Sequence, residues 1–261
     1  MHRFYLPPTQ CGGDVLQLSD GEAHHALRVL RLQVGATVVV LDGIGHTLDC
    51  EVREITKRHV TLAVRHRTFS PPLPCQITLL QAIPKAKAMD YIIQKATELG
   101  AARVVPILSE RVVVQLDARE AAAKAAKLQP VAIEAVKQCG SPWLPQIEPP
   151  VSLSQFLARG ESFELPLVAA LPAGSSSPRE FIRQFRERHH RLPATACVWI
   201  GPEGDFSPAE LEQLRASGTL PITLGRLVLR SDTAAIYSLS VLNYELQTDA
   251  PRPGAERCNP H

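Results

Sequence analysis

Two stretches of the chain set glycines and polar residues where an apolar run gives way to a helical pattern: IGPEGDFSPAE at 200–210 and LGRLVLRSDTAA at 224–235. Glycine lets backbone approach a ligand within van der Waals distance, and bare N–H and C=O groups there can read the edge of a heterocycle. Taken singly, each of Gly201, Gly204 and Gly225 is equally an ordinary turn. Together they follow strands in the sense in which open parallel sheets bind ligands, beyond the strands' carboxyl ends. Ser207 and Glu210 form a capping-box pattern with Pro208 at the first helical position, which fixes the exit of the first loop. The loop itself must therefore be held in one shape.

Other chemistries lack their patterns. There is no G-x-x-x-x-G-K-[ST] and no G-x-G-x-x-G; Gly43-x-Gly45 is followed by Leu48 and sits among alternating, strand-like residues. No G-x-S-x-G is present, and six of the nine histidines precede residue 70, away from the two loops. The six cysteines show neither C-x-x-C nor metal-ligand spacing, which predicts free thiols in a reducing compartment and no metal. The net charge of +2 demands no polyanionic partner, although a basic face can hide inside a balanced total. No apolar run approaches membrane-spanning length, so a cytoplasmic protein with no membrane partner is expected.

The elements that must position these loops divide at SPPLP, 70–74, whose prolines continue neither a helix nor a central strand. This predicts a first domain over 1–69, a linker at 70–74, a second domain over 75–249 and a frayed tail over 250–261. In the first, 37–69 alternates in three runs, the pattern of an antiparallel meander and a small β-barrel. Ahead of it, Ser19 and Glu22 suggest a second capping box. His24, Arg28 and Arg31 follow on one face of the same helix. In the second domain, QITLLQAI, RVVPIL, LPLVAAL, ACVWIG and PITLG alternate with helical patterns, so the fold class is α/β with a parallel sheet covered on both faces. Pro130 predicts a kink or two helices between about 117 and 138. A last helix is expected over roughly 232–247.

QAIPKAKAMDYIIQKATELG, SERVVVQL, EAVKQCG, IGPEGDFSPAE and LGRLVLRSDTAA stand in the order and rough spacing of the RsmE-like methyltransferases of the SPOUT superfamily, which this chain resembles. RVLRLQVGA with the later Asp42-Gly43 is similar to that family's PUA-like barrel, so the resemblance spans about 1–246. It implies a trefoil-knotted SPOUT methyltransferase domain behind a PUA-like β-barrel, and S-adenosylmethionine as cofactor. It implies a homodimer whose active site borrows from both chains, and methylation of uridine N3 in 16S ribosomal RNA of the small ribosomal subunit. Matched position by position, the cofactor loops are Ile200, Gly201, Pro202, Glu203 and Gly204, then Leu224, Gly225, Leu229, Thr233 and Ala234. Arg230 is the matched catalytic position, set to steady charge developing on a uracil carbonyl; a salt bridge to Asp232 or Glu203 is its plain structural alternative. Glu203 reads as a loop anchor rather than a base. Phosphate contacts fall to His24, Arg28, Arg31, Lys57, Arg58, Arg65 and Arg67, with a solvated charged surface as the alternative.

The chain departs from the family pattern in places. Asp205 replaces the second glycine of G-P-E-G-G. Ser141, Ala88 and Leu227 stand where Arg, Lys and Arg are common, with Lys87 and Arg226 one position earlier than the family's cations. These substitutions motivate an alternative reading, a non-catalytic RNA-binding or ribosome assembly factor that keeps the fold; methylation of another RNA is a further alternative.

Overall fold

The computed structural model describes residues 1–84, 88–111, 117–169 and 175–247; the expected tail, Lys87 and most of SERVVVQL lie outside them. Two compact units emerge, one comprising Met1–Pro72 with Ile133–Leu144 and the other the remaining chain. Segment 133–144, which the sequence division gives to the second domain, thus clusters with the first.

The first unit holds β1 (His2–Tyr5), β2 (Val15–Leu18), α1 (Asp20–His24), β3 (Thr37–Leu41), β4 (His46–Ile55) and β5 (Val60–Phe69). They form one five-stranded sheet in the order β1-β3-β4-β5-β2, with β1 parallel to β3 and every other pair antiparallel. Alternate residues of all five strands, among them Phe4, Leu16, Leu18, Val38, Val40, Leu48, Val52, Val60 and Leu62, meet in a single core with Ala23 and Ala26. The meander expected over 37–69 is present.

The helix before the meander differs from expectation. After α1 the chain widens into a π-helical turn, His25–Val29, and Leu32 N–H closes back on Ala26 O at 3.0 Å. Arg31 lies beyond that turn in left-handed backbone (φ 50), so it does not share a helical face with His24 and Arg28. The capping box at Ser19 is also absent. Ser19 has extended N-cap backbone but its side chain makes no cap bond, and Glu22 Oε1 accepts from Lys137 Nζ at 2.8 Å.

The second unit holds β6 (Gln76–Ala82), α2 (Ala88–Glu98), β7 (Arg103–Leu108), α3 (Ala118–Cys139), β8 (Gln146–Ile147), β9 (Val151–Ser152), α4 (Leu153–Leu157), β10 (Leu165–Ala169), α5 (Pro178–His189), β11 (Thr195–Ile200), α6 (Pro208–Ala216), β12 (Leu220–Ile222) and α7 (Ser231–Gln247); the last seven residues of α3 fall in the first unit. Strands run β12-β10-β11-β6-β7-β8 and every pair is parallel, with β9 also on β7. β6 and β11 are buried along almost their whole length, as strands covered on both faces require. α3 is one helix rather than two: it runs through Pro130, at the loss of the backbone bond that a proline cannot donate. Five described cysteines are free. Burial pushes the thiols of Cys50, Cys75 and Cys197 up to about 12, which keeps them protonated and unreactive. Among the described residues no helix is long and apolar enough to cross a membrane, and no metal-ligating cluster occurs.

Candidate active site

β12, β10 and β11 are neighbours in the sheet, and a cavity of about 370 Å³ opens where their carboxyl ends Ile222, Ala169 and Ile200 come together. One wall is the loop after β11, through Gly201, Pro202, Glu203 and Asp205. The other is the loop after β12, from Thr223 to Leu229, and Ser231 and Ala234 at the start of α7 complete the lining. Of the residues expected at the site, Ile200, Gly201, Pro202, Glu203, Leu224, Gly225, Leu229 and Ala234 thus converge on one cavity. Gly204, Thr233 and Arg230 stand outside its lining. Arg230 is exposed immediately before α7, its carbonyl accepting from Ala234 N–H at 2.8 Å.

The first wall is fixed at both ends. At its exit Ser207 and Glu210 close the expected capping box, Ser207 Oγ accepting from Glu210 N–H at 3.1 Å and Glu210 Oε2 from Ser207 N–H at 2.8 Å. The other oxygen of the buried Glu210 accepts from Glu110 N–H at 2.9 Å, which ties the loop after β7 to the start of α6. Phe206 packs edge-on to Trp199, and Trp199 edge-on to Phe156. Inside the loop, Asp205 N–H donates to Pro202 O at 2.9 Å to close a turn, and Arg111 donates to Gly204 O.

Gly201 is required by packing: a Cβ there would stand 2.9 Å from Asp205 Oδ1 and 3.2 Å from Phe206 N. Asp205 takes left-handed backbone (φ 62), and its Oδ1 accepts from Phe206 N–H at 2.8 Å. Aspartate tolerates that conformation when its side chain bonds locally, so it can stand where a glycine is otherwise usual. The negative charge that the sequence sets beside the loop is engaged in holding it.

The two walls are joined by a tie that the sequence reading missed. Ser231 Oγ donates to Gly201 O at 2.7 Å and accepts from Gln81 Nε2 at 2.9 Å, while the same amide donates to Ala82 O at 2.8 Å. Gln81 is fully buried in β6. A glutamine inside the apolar run QITLLQAI was the available signal, since a buried amide must find partners. Ala169 and Ser175, which bracket residues outside the described set, also line the cavity without having been singled out. Such a pocket offers apolar side chains for a flat ring system and main-chain groups for its polar edge.

On the N-terminal unit, His24 and Arg28 are exposed, and Lys57 and Arg58 are exposed at the turn between β4 and β5. Arg65 is engaged with Glu51, Nη2 to Oε2 at 2.6 Å and Nε at 3.0 Å. Arg67 donates to the carbonyls of Cys11 (2.7 Å) and Gly13 (3.2 Å).

A family model described as an RNA methyltransferase domain matches residues 71–243, and one described as an RNA methyltransferase PUA domain matches residues 18–65. The ribosomal RNA small subunit methyltransferase E of Bacillus subtilis is 31% identical over 253 residues, covering 95% of this chain and 98% of its own length. Its namesake in Aquifex aeolicus is 32% identical over 244 residues, covering 93% and 99%. Among solved structures, a putative methyltransferase of Legionella pneumophila in complex with bound SAM aligns with TM-score 0.81 and 32% identity, over 93% of this chain and 96% of that one. The ribosomal RNA small subunit methyltransferase E of Neisseria gonorrhoeae, bound to S-adenosyl methionine, aligns with TM-score 0.81 and 26% identity, over 94% and 97%.

Proposed function

The chain belongs to the ribosomal RNA small subunit methyltransferase E family, and from that premise we propose that it methylates N3 of a uridine in 16S ribosomal RNA with S-adenosylmethionine as donor. The observation that carries this reading is the cavity at the ends of β10, β11 and β12, with its two loop walls fastened together through Ser231 and Gly201. Its volume of about 370 Å³ falls within the range of small-molecule sites.

The residues present fit the donor. Ile200, Leu224, Leu229 and Ala234 supply apolar contact for a purine, and Pro202 and Gly204 shape the loop that encloses it. At Gly225 the backbone takes φ 118 and nothing stands within 4 Å of an added Cβ. When bound, S-adenosylmethionine supplies an electrophilic methyl on its sulfonium sulfur. The chain's own task is to orient the uracil and stabilise its ring as N3 loses a proton, which places negative charge on the flanking carbonyl oxygens. Arg230, exposed beside the N-terminus of α7 and Thr233, is the cation assigned to that charge. Glu203 serves as an anchor of the loop.

The first domain, with His24, Arg28, Arg31, Lys57, Arg58, Arg65 and Arg67, is assigned the grip on RNA phosphates. Membership of the family supports a trefoil-knotted path, a homodimer, the small ribosomal subunit as partner and a cytoplasmic site of action. Leu227 and Val228, with Tyr237 and Tyr244 on α7, are exposed apolar side chains on the second unit, which supports a second copy covering them.

The test is transfer of labelled methyl to small subunits, with mass spectrometry of 16S RNA from a strain lacking the protein. A missing N3-methyluridine in that strain is expected; bound donor with unaltered RNA would instead favour the assembly factor. Arg230→Ala should leave donor affinity within about twofold while lowering turnover by two or more orders of magnitude, the range for losing one charge-stabilising donor.

A further inference from the structure

We propose that Phe69, backed by His46 and Trp143, is a stacking platform for an unpaired base of single-stranded RNA, an inference that rests on the assignment of the first domain to RNA. Phe69 ends β5 with 55% of its surface exposed. Its ring centroid lies 5.1 Å from that of His46, its cross-strand partner on β4, and 6.2 Å from that of Trp143, edge-on.

Each supporting ring is pinned. His46 Nδ1 lies 2.7 Å from Asp42 Oδ2 and donates to it, leaving Nε2 for another partner. Asp42, only 3% exposed, is itself fixed, its Oδ1 accepting from the N–H groups of Ile44 and His46 at 2.9 Å each. Trp143 Nε1 donates to Ser70 O at 3.0 Å, while Ser70 N–H donates to Gly45 O at 2.8 Å and Gly45 N–H to Pro142 O at 3.0 Å. Gly45 (φ 106) cannot be replaced without displacing the rings, because a Cβ would stand 2.7 Å from both Phe69 and Trp143. The Asp42-Gly43-Ile44-Gly45-His46 segment, which no nucleotide fingerprint explains, therefore builds an aromatic surface that faces water.

A lone exposed phenylalanine needs no explanation. Three rings locked by a buried carboxylate and an obligatory glycine are a different matter, and the charges beside them indicate the occupant. Arg65 and Arg67 precede Phe69 and are exposed, Arg65 paired with Glu51. The contacts made by Arg67 are to neutral carbonyls, so its charge persists. A ring surface next to the Arg67 guanidinium suits a nucleotide, with base on ring and phosphate on cation.

Full-length protein is titrated with a fluorescent, unstructured adenosine 12-mer at low and high salt, and with the duplex it forms with its complement. Phe69→Ala and Phe69→Leu should each weaken 12-mer binding five- to a hundredfold, the range for losing one stacked base. Phe69→Trp should restore it. The loss should persist at high salt, where phosphate contacts fade. Leucine preserves apolar bulk, so its failure to bind separates stacking from packing. Unchanged 12-mer affinity in Phe69→Leu with a native melting profile overturns the proposal, as does equal weakening for the duplex. Unchanged 12-mer affinity with weaker association to small subunits overturns it in favour of a protein partner. Wild-type methyl transfer is measured in parallel. If transfer is absent while the 12-mer still discriminates Phe69→Leu, the platform stands and the methyltransferase reading falls; if transfer occurs and discrimination does not, only the platform falls.

Discussion

The two walls of the cavity solve the same problem by opposite means. The wall from Gly201 to Ser207 is packed and internally bonded: Gly201, Pro202, Phe206 and Ser207 are buried, and its glycine is dictated by neighbouring protein atoms. The wall from Leu224 to Leu229 is open in the single chain, with Leu227 79% and Val228 77% exposed. Its Gly225 is dictated by backbone angle alone, with nothing within 4 Å of an added Cβ. One wall is thus a fixed template set by the fold. The other is shaped by its own turn, in which Thr223 Oγ1 lies 3.2 Å from both the N–H and the carbonyl oxygen of Gly225, by the bond from Thr223 N–H to Ser176 O at 3.0 Å and by the tie at Ser231.

This asymmetry breaks most easily at the anchor of the packed wall. Glu210→Ala removes an acceptor from two backbone N–H groups, those of Ser207 and Glu110. Bonds to a charged group contribute about 1.5–3 kcal/mol each, and of the two abandoned donors Ser207 N–H is buried while Glu110 is exposed to water, so a loss of roughly 2 kcal/mol is expected in thermal or denaturant unfolding. A change below about 1 kcal/mol would mean that the wall holds its shape without its cap.

The paired glycines test the contrast itself. Gly201→Ala forces a shift against Asp205 and the backbone of Phe206, at a cost of about 2 kcal/mol, the scale of overpacking. Donor affinity measured by calorimetry should fall more than tenfold. Gly225→Ala meets no atom but must hold φ 118, a strain of about 1 kcal/mol or somewhat more. Affinity should fall less than for Gly201→Ala. The reverse ranking would show that the exposed wall governs binding.

The same contrast explains what was legible in the sequence. Parallel strands, the meander and the capped exit at Ser207 rest on local patterns that tertiary contacts left alone, and the loops of the cavity follow from them. Ser19-x-x-Glu22 carries the same local signal as Ser207-x-x-Glu210 yet makes no cap, and one oxygen of its carboxylate accepts instead from Lys137, more than a hundred residues away in sequence. Of the kink or two helices expected at Pro130, the second does not occur: α3 continues through it as one helix. The Gln81–Ser231–Gly201 tie joins three segments distant in sequence, so no local window could contain it; only the oddity of a glutamine in a buried strand hinted at it. Arg31 left its predicted face because the helix widened into a π turn, which shifts every later position.

The smallest expected effect bears on why an aspartate can replace a glycine in the packed wall. Asp205 accepts a left-handed φ and offsets that strain with the bond from Phe206 N–H to its Oδ1. Asp205→Gly removes strain and bond together, and stability should change by less than about 0.5 kcal/mol. Asp205→Ala keeps the strain and loses the bond, so a loss of about 1–2 kcal/mol is expected. Asp205→Asn retains an oxygen for Phe206 N–H without the charge; if it matches wild type in unfolding and in donor affinity, the carboxylate acts by geometry. If donor affinity rises in Asp205→Asn while unfolding is unchanged, the negative charge bears on the ligand directly, and the wall is more than a template.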